Sequence, residues 1–399
     1  MKLIDLCIDK AKYGINASAV EKTKDEDISY LRITDIKENN ELNSKLTKTV
    51  KKGTSISNYL LKENDIVFAR TGNSVGKNYF YDLRDGKIIY AGFLVKFSIN
   101  PQKVYPKYIK YYMQSYKVQK WIKNVASDGS TRPNINAKQL GQIPISLPSK
   151  EIQEKIANSL WMIDTKIKLN NQINDNLISQ LKIISNSYFS YFEVYNGKIP
   201  LDWSYTKLVD IANIDAGYSY TSKELVDSNI AMATIKNFDR TGGFNIRGFK
   251  EIKPNKIVKK EKYAKLFDIL VAHTDLTQNA DIIGNAEPIL NTSKYSKIIY
   301  SMDLVKVTPK AEKISPFLLA LLLQGDRFKK HCLGYVNGTT VLHLSKKALK
   351  EFEFPFPTSF SDLDNIAKFA ERNYKLIANN MKENQKLQNL KQVLLSKYF

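Results

Sequence analysis

Residues of the types that carry out catalysis are few in this chain, and their spacing does not suit catalysis. His273, His331 and His343 have no spacing that suggests a metal site or a catalytic triad. Cys7 and Cys332 are too few for a zinc site or a disulfide framework. The sequence contains no G-x-G-x-x-G segment that would bind a nucleotide or a methyl donor. We therefore predict no catalytic residues, no metal and no cofactor.

The charge balance of the chain indicates a polyanionic partner. Lys and Arg number 61 against 40 Asp and Glu, which gives a formal net charge of +21. An excess of this kind favours nucleic acid as the partner. A compositional explanation competes, because only eight of the 61 basic residues are arginine and the chain is also rich in Asn, Ile and Tyr, as an AT-rich genome would encode.

One glycine-rich segment, GNSVGKN at 72–78, is similar to a phosphate-binding loop. It has three residues between its glycines where the P-loop needs four, and Asn78 stands where Ser or Thr would bind magnesium. We interpret it as a turn whose backbone amides, together with Lys77, can face a DNA phosphate.

The cellular location can be predicted from the lack of a membrane-spanning segment and of a signal peptide in the sequence. No apolar run approaches the roughly 18 residues of a membrane span. The N-terminal residues MKLIDLCIDK include acidic side chains where a signal peptide needs an apolar block. With only two cysteines, the chain is expected in the cytoplasm and without a membrane partner.

The chain contains an internal duplication. Matching segments keep their order over most of its length, as in 2–6 with 207–211 (KLIDL, KLVDI), 64–71 with 267–274 (NDIVFART, FDILVAHT) and 87–96 with 297–306 (KIIYAGFLVK, KIIYSMDLVK). Each copy combines short β-rich runs with helical spacing, seen at 106–123 and again at 316–329. Each copy then ends in one long segment of helical periodicity.

The two long segments carry apolar side chains at alternating steps of three and four, the stripe of a helix that packs along a partner. Paired asparagines interrupt each stripe, and in an antiparallel pairing these amides would meet and help to fix the register. A tolerated polar seam is the alternative. The residues expected to pair are Ile156, Leu160, Ile163, Ile167, Asn170, Asn174 and Leu177 in the first helix, and Ile366, Ile377, Asn380, Asn384 and Leu387 in the second.

These patterns predict a mixed α+β fold, in which two pseudo-symmetric globular domains are joined by two long antiparallel helices that form a coiled-coil strut. The expected divisions are a first domain at 1–148, a long helix at 149–189, a linker at 190–206, a second domain at 207–358 and a second long helix at 359–399.

Positions where the repeats differ within a shared frame are candidates for reading different bases. Arg70 falls on His273, Arg32 on Thr234 and Arg132 on Val341. Arginine can donate two hydrogen bonds to guanine O6 and N7, which is worth about 1–3 kcal/mol of discrimination. Drift of surface loops after the duplication is the competing explanation at any one position. The first-domain candidates are Arg32, Thr34, Arg70, Thr71, Asn73, Ser74, Lys77, Ser130, Thr131 and Arg132. Those of the second domain, suited to adenine or phosphate, are Thr234, Lys236, Asn237, His273, Thr274, Gln278, Asn279, Thr339 and Thr340.

The arrangement resembles the specificity subunit of type I restriction–modification systems. The resemblance is carried by two tandem domains each followed by a long helix, by NGKIPLDW at 196–203, by RTGNSVGK at 70–77, and by the glycine-hydroxyl segments at 129–131 and 338–340. It implies two target-recognition domains, each reading one half of a split double-stranded DNA target. It also implies helices that set the spacer and dock two modification (methyltransferase) subunits, to which ATP-dependent restriction subunits can be added.

Other classes of protein remain as alternatives at this stage. Within nucleic-acid binding, the chain could be a stand-alone two-domain repressor-like protein. A nuclease with a diverged site is a second alternative, although we recognise no cluster of paired carboxylates and lysine. A coiled-coil scaffold without a DNA role is a third, and the basic charge disfavours it.

Overall fold

The computed structural model describes residues 1–24, 27–43, 46–126, 132–240, 242–310, 313–359 and 363–399. The chain divides into two compact units. Unit 1 consists of Met1–Lys166 and Leu387–Phe399, and unit 2 consists of Ile167–Lys386. The division passes through both long helices, so each unit contains part of each helix. The predicted candidates Ser130 and Thr131 lie outside the described residues.

Unit 1 is built on short strands followed by helices. Its strands are β1 Lys12–Tyr13, β2 Ala19–Glu21, β3 Ser29–Leu31, β4 Lys48–Val50, β5 Asp65–Ala69, β6 Asn78–Phe80, β7 Ile88–Tyr90 and β8 Leu94–Ser98. Its helices are α1 Pro106–Tyr112, α2 Tyr116–Ala126, α3 Ala137–Gly141 and the first part of α4, which spans Lys150–Ser185.

The central sheet of unit 1 is antiparallel in the order β1-β8-β5-β6, and β3 pairs with β7 in parallel beside it. Every residue of β5 is buried, which its apolar run DIVFA explains. The strand begins at Asp65, whose carboxylate accepts a hydrogen bond from the Lys96 ammonium at 3.0 Å. A buried ion pair thus ties β5 to β8.

Unit 2 repeats this plan with additional elements. In chain order they are β9 Trp203–Lys207, α5 Leu208–Ile211, β10 Ala212–Ala216, β11 Ile230–Ala233, β12 Lys250–Glu251, β13 Tyr263–Ala264, β14 Ile269–Ala272, β15 Thr274–Asp275, β16 Ala286–Pro288, β17 Lys297–Tyr300, β18 Leu304–Pro309, α6 Pro316–Leu323, α7 Asp326–Leu333, β19 Val336–Asn337, β20 Leu342–Leu344, α8 Lys347–Lys350, β21 Glu353–Pro357 and α9 Asp364–Tyr398. The last of these crosses into unit 1 after Lys386.

The sheets of unit 2 follow the same topology. The order β10-β18-β14-β16 corresponds to β1-β8-β5-β6, and the parallel pair β11 and β17 corresponds to β3 and β7. The buried ion pair also recurs, because Lys306 within β18 lies 3.9 Å from Asp268, the residue immediately before β14. The duplication read from the sequence is therefore a duplication of fold.

The helical spacing at 106–123 and 316–329 corresponds in each unit to two helices rather than one. In unit 1 the break lies between α1 and α2, where the Met113 carbonyl accepts hydrogen bonds from the side-chain amides of Asn78 and Gln119. In unit 2 it falls at Gly325, where a Cβ atom would lie 2.8 Å from the Ser190 hydroxyl oxygen. Periodicity continues across both breaks, so the sequence pattern alone does not locate them.

Helices α4 and α9 pair within each unit. In unit 2 the Asn170 amide donates to the Asn384 carbonyl oxygen at 2.9 Å, and the Asn380 amide donates to Asn174 at 2.9 Å. Because one residue number rises as its partner falls, the helices run antiparallel there. In unit 1 the Lys391 ammonium lies 2.7 Å from Asp164, in the same sense.

The predicted pairing residues lie on the covered faces of both helices. Most are buried, namely Ile156, Leu160, Ile163, Ile167, Asn170, Asn174, Ile377 and Asn384. The others are half-buried, namely Leu177, Ile366, Asn380 and Leu387. The predicted α+β fold with two repeats and two long antiparallel helices is confirmed. Among the described residues, no helix has the length and apolar character needed to cross a membrane.

Candidate nucleic-acid interface

The glycine-rich loop of unit 1 is a rigid turn at the end of β5. Its amides bond back on the loop itself, since Gly76 donates to the Ala69 carbonyl at 3.0 Å and Val75 donates to Gly72 at 3.1 Å. Gly76 has φ +88°, and a Cβ atom there would lie 2.9 Å from the Gln119 side-chain oxygen. The Gln119 amide in turn donates to the Gly76 carbonyl at 3.1 Å. The loop is thereby held against α2, with Thr71, Asn73 and Ser74 at its edge.

A groove of about 620 Å³ opens beside this loop. It forms because Thr71 bridges Asn134 and the Gly72 amide donates to the Pro133 carbonyl at 2.9 Å, which joins two segments far apart in sequence. The groove brings together the predicted residues Thr71, Asn73, Ser74 and Arg132. Its complete lining is Ile33, Thr71, Gly72, Asn73, Ser74, Phe93, Arg132, Pro133 and Asn134.

Arg70 immediately precedes this loop and has an uncommitted side chain. Its backbone amide donates to the Phe93 carbonyl at 3.1 Å, and its carbonyl accepts from the Ile135 amide at 2.9 Å. The guanidinium lies 5.1 Å from the centre of the Tyr13 ring. Its Nε atom is buried and has no hydrogen-bond partner among the described residues. The fold therefore leaves one donor of the Arg70 guanidinium unpaired, in a residue that is itself half-buried.

Two other predicted basic residues of unit 1 already have partners. Arg32 donates from Nε and Nη2 to the two carboxylate oxygens of Asp35, at 3.0 and 2.8 Å. Those hydrogen bonds raise the Arg32 pKa. The Lys77 ammonium lies 2.6 Å from Glu38, and Thr34 is exposed on the same turn as Arg32. Arg32 and Lys77 would have to exchange these carboxylates for a base or a phosphate.

In unit 2 the equivalent region is formed by β15, β20 and β19. We call this region of each unit, around Thr71 in unit 1 and Thr274 in unit 2, its corner. Thr274 pairs with His343 as Thr71 bridges Asn134. The Gln278 side-chain amide donates to the Thr339 carbonyl at 2.6 Å, which joins the loop after β15 to the turn before β20. Of the predicted residues, Thr274 is buried, and Gln278, Asn279, Thr339 and Thr340 are exposed.

His273 occupies the position in unit 2 that Arg70 has in unit 1. Its amide donates to the Asp303 carbonyl at 2.8 Å, and its carbonyl accepts from the Leu344 amide at 2.8 Å. Burial of the imidazole lowers the His273 pKa to about 4, with smaller contributions from His343 and Lys346. His273 is consequently neutral at pH 7, so it can both donate and accept a hydrogen bond.

Of the remaining predicted residues of unit 2, two are buried and stabilise their own turn, and one is an exposed lysine. Asn237 is fully buried, accepts from the Thr234 amide at 2.9 Å and donates to the Asn245 carbonyl at 2.8 Å. Thr234 is buried as well, and its hydroxyl donates to the Gly248 carbonyl. These two side chains hold the turn, and Lys236 between them is exposed.

Sequence reasoning missed residues that the corners bring next to the predicted ones. Tyr13, Phe93 and Asn134 adjoin Arg70 or line the groove in unit 1, and His343 is exposed in the corner of unit 2. Superposing the repeats in sequence could have pointed to Phe93, because Asp303 replaces it in a segment where seven of ten residues are identical. Nothing in the sequence pointed to Tyr13.

The described part of the chain contains no group of three or more His, Cys, Asp or Glu that could hold a metal ion. Both cysteines are buried, and burial raises the pKa of each thiol to about 12, so neither is a reactive thiolate. What the fold presents is a duplicated unit in which one frame carries two different sets of polar and basic side chains. That combination defines a tandem recognition protein.

Comparison with known proteins identifies the family. Residues 1–178 and 200–389 match the type I restriction modification DNA specificity domain. The type I restriction enzyme MjaVIII specificity subunit of Methanocaldococcus jannaschii is 23% identical over 324 residues, covering 75% of this chain and 69% of that protein. The HindI specificity subunit of Haemophilus influenzae is 27% identical over 140 residues, 35% of this chain and 30% of that one. The crystal structure of the S subunit of a type I restriction-modification system from M. genitalium aligns with TM-score 0.55 and 17% identity, covering 100% of this chain and 95% of that chain.

The chain belongs to the family of type I restriction–modification DNA specificity subunits, because the matching family domain covers both repeats. This supports the resemblance drawn from the sequence and does not support the repressor or nuclease alternatives.

Proposed function

We propose that this chain supplies DNA sequence recognition to a type I restriction–modification complex without a catalytic step or a cofactor of its own. The globular parts at 1–148 and 207–358 each read one half of a bipartite double-stranded target. The formal net charge of +21 favours contact with phosphates along the duplex. Those predicted residues of the two units whose side chains are not used within their own turns supply base contacts and phosphate contacts.

The observation that carries this proposal is the shared backbone position of Arg70 and His273. In both units the amide of this residue donates to the turn after the parallel strand, and its carbonyl accepts from a distant segment, at Ile135 in unit 1 and at Leu344 in unit 2. The frame is the same, but one side chain is a guanidinium and the other a neutral imidazole. A charged fork suits guanine O6 and N7, whereas a neutral imidazole does not provide two parallel donors. The two units are thus suited to different half-sites.

The long helices are the proposed docking surface for two modification subunits, through which restriction subunits join. Their exposed sides carry large apolar residues, which a docked subunit would cover. In unit 1 these are Ile152, Met162, Leu390 and Val393, and in unit 2 they are Leu169, Ile173, Ile183 and Leu376. The same helices set the number of base pairs between the half-sites.

The experiment that tests this function is a map of methylated bases in cells with and without the chain. We expect methylation at one bipartite sequence to disappear when the chain is deleted and to return when it is restored. The purified chain alone should neither transfer methyl groups nor cleave DNA. Unchanged methylation after deletion, or methyl transfer by the chain without a partner, would contradict the proposal.

A further inference from the structure

An aromatic ring is left in water beside Arg70. The Phe93 side chain is 61% exposed, and it lines the groove of unit 1. It lies on the turn between β7 and β8, and its carbonyl accepts the hydrogen bond of the Arg70 amide at 3.1 Å. This backbone contact joins Arg70 to Phe93 at the edge of the groove, next to Thr71, which lines it.

The groove combines apolar and hydrogen-bonding surface. Ile33, Phe93 and Pro133 contribute apolar atoms, and Thr71, Ser74 and Asn134 contribute hydroxyl and amide groups. In the major groove of DNA, the edge of a T·A pair offers this mixture, because thymine presents its C5-methyl group next to the O4 acceptor, and adenine presents N6 and N7. We call the surface of Ile33, Phe93 and Pro133 the apolar wall of the groove. A G·C pair offers no methyl group, so it would leave this wall without an apolar contact.

Arg70 determines where this wall lies on the target. Its buried Nε has no hydrogen-bond partner among the described residues, and its guanidinium is positioned over the Tyr13 ring. Arg70 is the residue proposed above to read guanine, and its backbone contact with Phe93 then places the apolar wall on an adjacent base pair.

We propose that the groove of unit 1 receives the C5-methyl group of a thymine adjacent to the guanine read by Arg70, and that the Phe93 ring makes this contact. The inference rests on the proposed function and specifies the base that this site reads. Unit 2 lacks the contact, because Asp303 occupies the position that Phe93 has in unit 1. The Asp303 carbonyl accepts the hydrogen bond of the His273 amide, as the Phe93 carbonyl accepts that of the Arg70 amide. A carboxylate there suits the amino group of cytosine.

The test deletes one methyl group at a time from the DNA. The specificity chain in complex with its modification subunits is first used to define the target by its methylation. Each thymine of the target duplex is then replaced singly by deoxyuridine, which differs from thymine only by that methyl group, and the affinity of the complex is measured. Phe93→Ala removes the ring, Phe93→Leu keeps an apolar contact, and Met302→Ala changes an exposed apolar residue on the equivalent turn of unit 2.

One thymine, adjacent to a guanine, should show about a four-fold loss of affinity on replacement, as burial of a single methyl group predicts. Phe93→Ala should abolish that difference between thymine and uracil, whereas Phe93→Leu and Met302→Ala should keep it. A target with no thymine next to guanine, a wild-type complex indifferent to every replacement, or an effect that persists in Phe93→Ala would each overturn the inference. If Phe93→Ala fails to fold, Phe93→Asp takes its place, because it carries the residue of the equivalent turn of unit 2, and it should likewise abolish the difference. Failure of the proposed function looks different, because no bipartite methylation would then depend on the chain.

Discussion

Substitution of Asp164 by Asn should destabilise unit 1 and loosen its helix pair. Asp164 lies on α4, and its two carboxylate oxygens face Lys391 of α9 at 2.7 Å and Lys110 of α1 at 3.5 Å. The Tyr111 hydroxyl donates to the same carboxylate at 2.8 Å. One buried anion thus joins three helical segments of unit 1.

The size of the effect follows from the burial of this cluster. The side chains of Asp164, Lys391 and Lys110 are only 13%, 10% and 16% exposed. Removing one member of a buried ion pair costs about 3–5 kcal/mol, because the remaining charge stays desolvated. Asparagine keeps the volume and can still accept from Tyr111, so we expect the lower end, about 3 kcal/mol. For a unit of this size, that corresponds to a melting temperature about 6–12 °C lower.

The pH dependence of this effect has a definite sign. Burial alone would raise the Asp164 pKa, but the positive charges of Lys391 and Lys110 outweigh it and lower the pKa. The stabilisation is therefore present above the unfolded-state value of about 3.9 and is lost as pH falls through the lower folded-state value. The difference between wild type and Asp164→Asn should accordingly shrink below about pH 4.

Hydrogen exchange on the full chain locates the loss, because the two units need not unfold together. Exchange should accelerate in residues 150–166 and 387–399 and stay unchanged in the core of unit 2. The control is Glu371→Gln, which removes an exposed ion pair with Lys375 on the helix surface and should cost less than about 1 kcal/mol. Replacing the whole cluster, by Asp164→Leu with Lys391→Met, Lys110→Met and Tyr111→Phe, should regain most of the stability, since apolar replacement of a buried ionic cluster is often neutral. A melting temperature within about 1 °C of wild type, or a loss confined to unit 2, would refute this reasoning.

Further expectations concern unit 2, the half-sites and the spacer. Burial raises the Glu287 pKa to about 7, so unit 2 should lose stability as pH rises from about 4.5 to 7, whereas Glu287→Gln should show no such loss in melts across that range. Arg70→Ala should relax the methylated sequence in one half-site only and cost about 1–3 kcal/mol of binding, and equal weakening on all sequences would make Arg70 a phosphate contact. The Lys329 ammonium donates to the Ala280, Asp281 and Ile283 carbonyls and to the Asn285 side chain, so Lys329→Met should speed hydrogen exchange in 276–285 and relax only the half-site of unit 2. Seven residues inserted after both Leu177 and Leu376, which the antiparallel asparagine pairs place opposite each other, lengthen each helix by about 10 Å at ~1.5 Å per residue. The gap between half-sites should then grow by about one to three base pairs at 3.4 Å each while both half-site sequences stay the same, and methylation mapping that shows an unchanged gap would refute the spacer role.

The large-scale architecture can be read from the amino-acid sequence. Matching segments in the same order required two copies of one fold, and the three-and-four spacing of apolar residues required two long helices with covered faces. The asparagines at 170, 174, 380 and 384 were recognisable as a polar break in an apolar stripe. Such features can be read from the sequence because periodicity and repetition are local or linear properties of a chain.

The tertiary structure alone decided which polar side chains remain available to a ligand. Asn237 looked like a base-reading amide, but its hydrogen bonds are used within its own turn, and Arg32 is held by Asp35. The groove of unit 1 exists because Thr71 meets Asn134 across more than sixty positions of sequence, and Phe93 joins it through the backbone of Arg70. Residue type tells which hydrogen bonds a side chain can donate or accept. Whether those donors and acceptors are already paired depends on which distant segments the fold brings together.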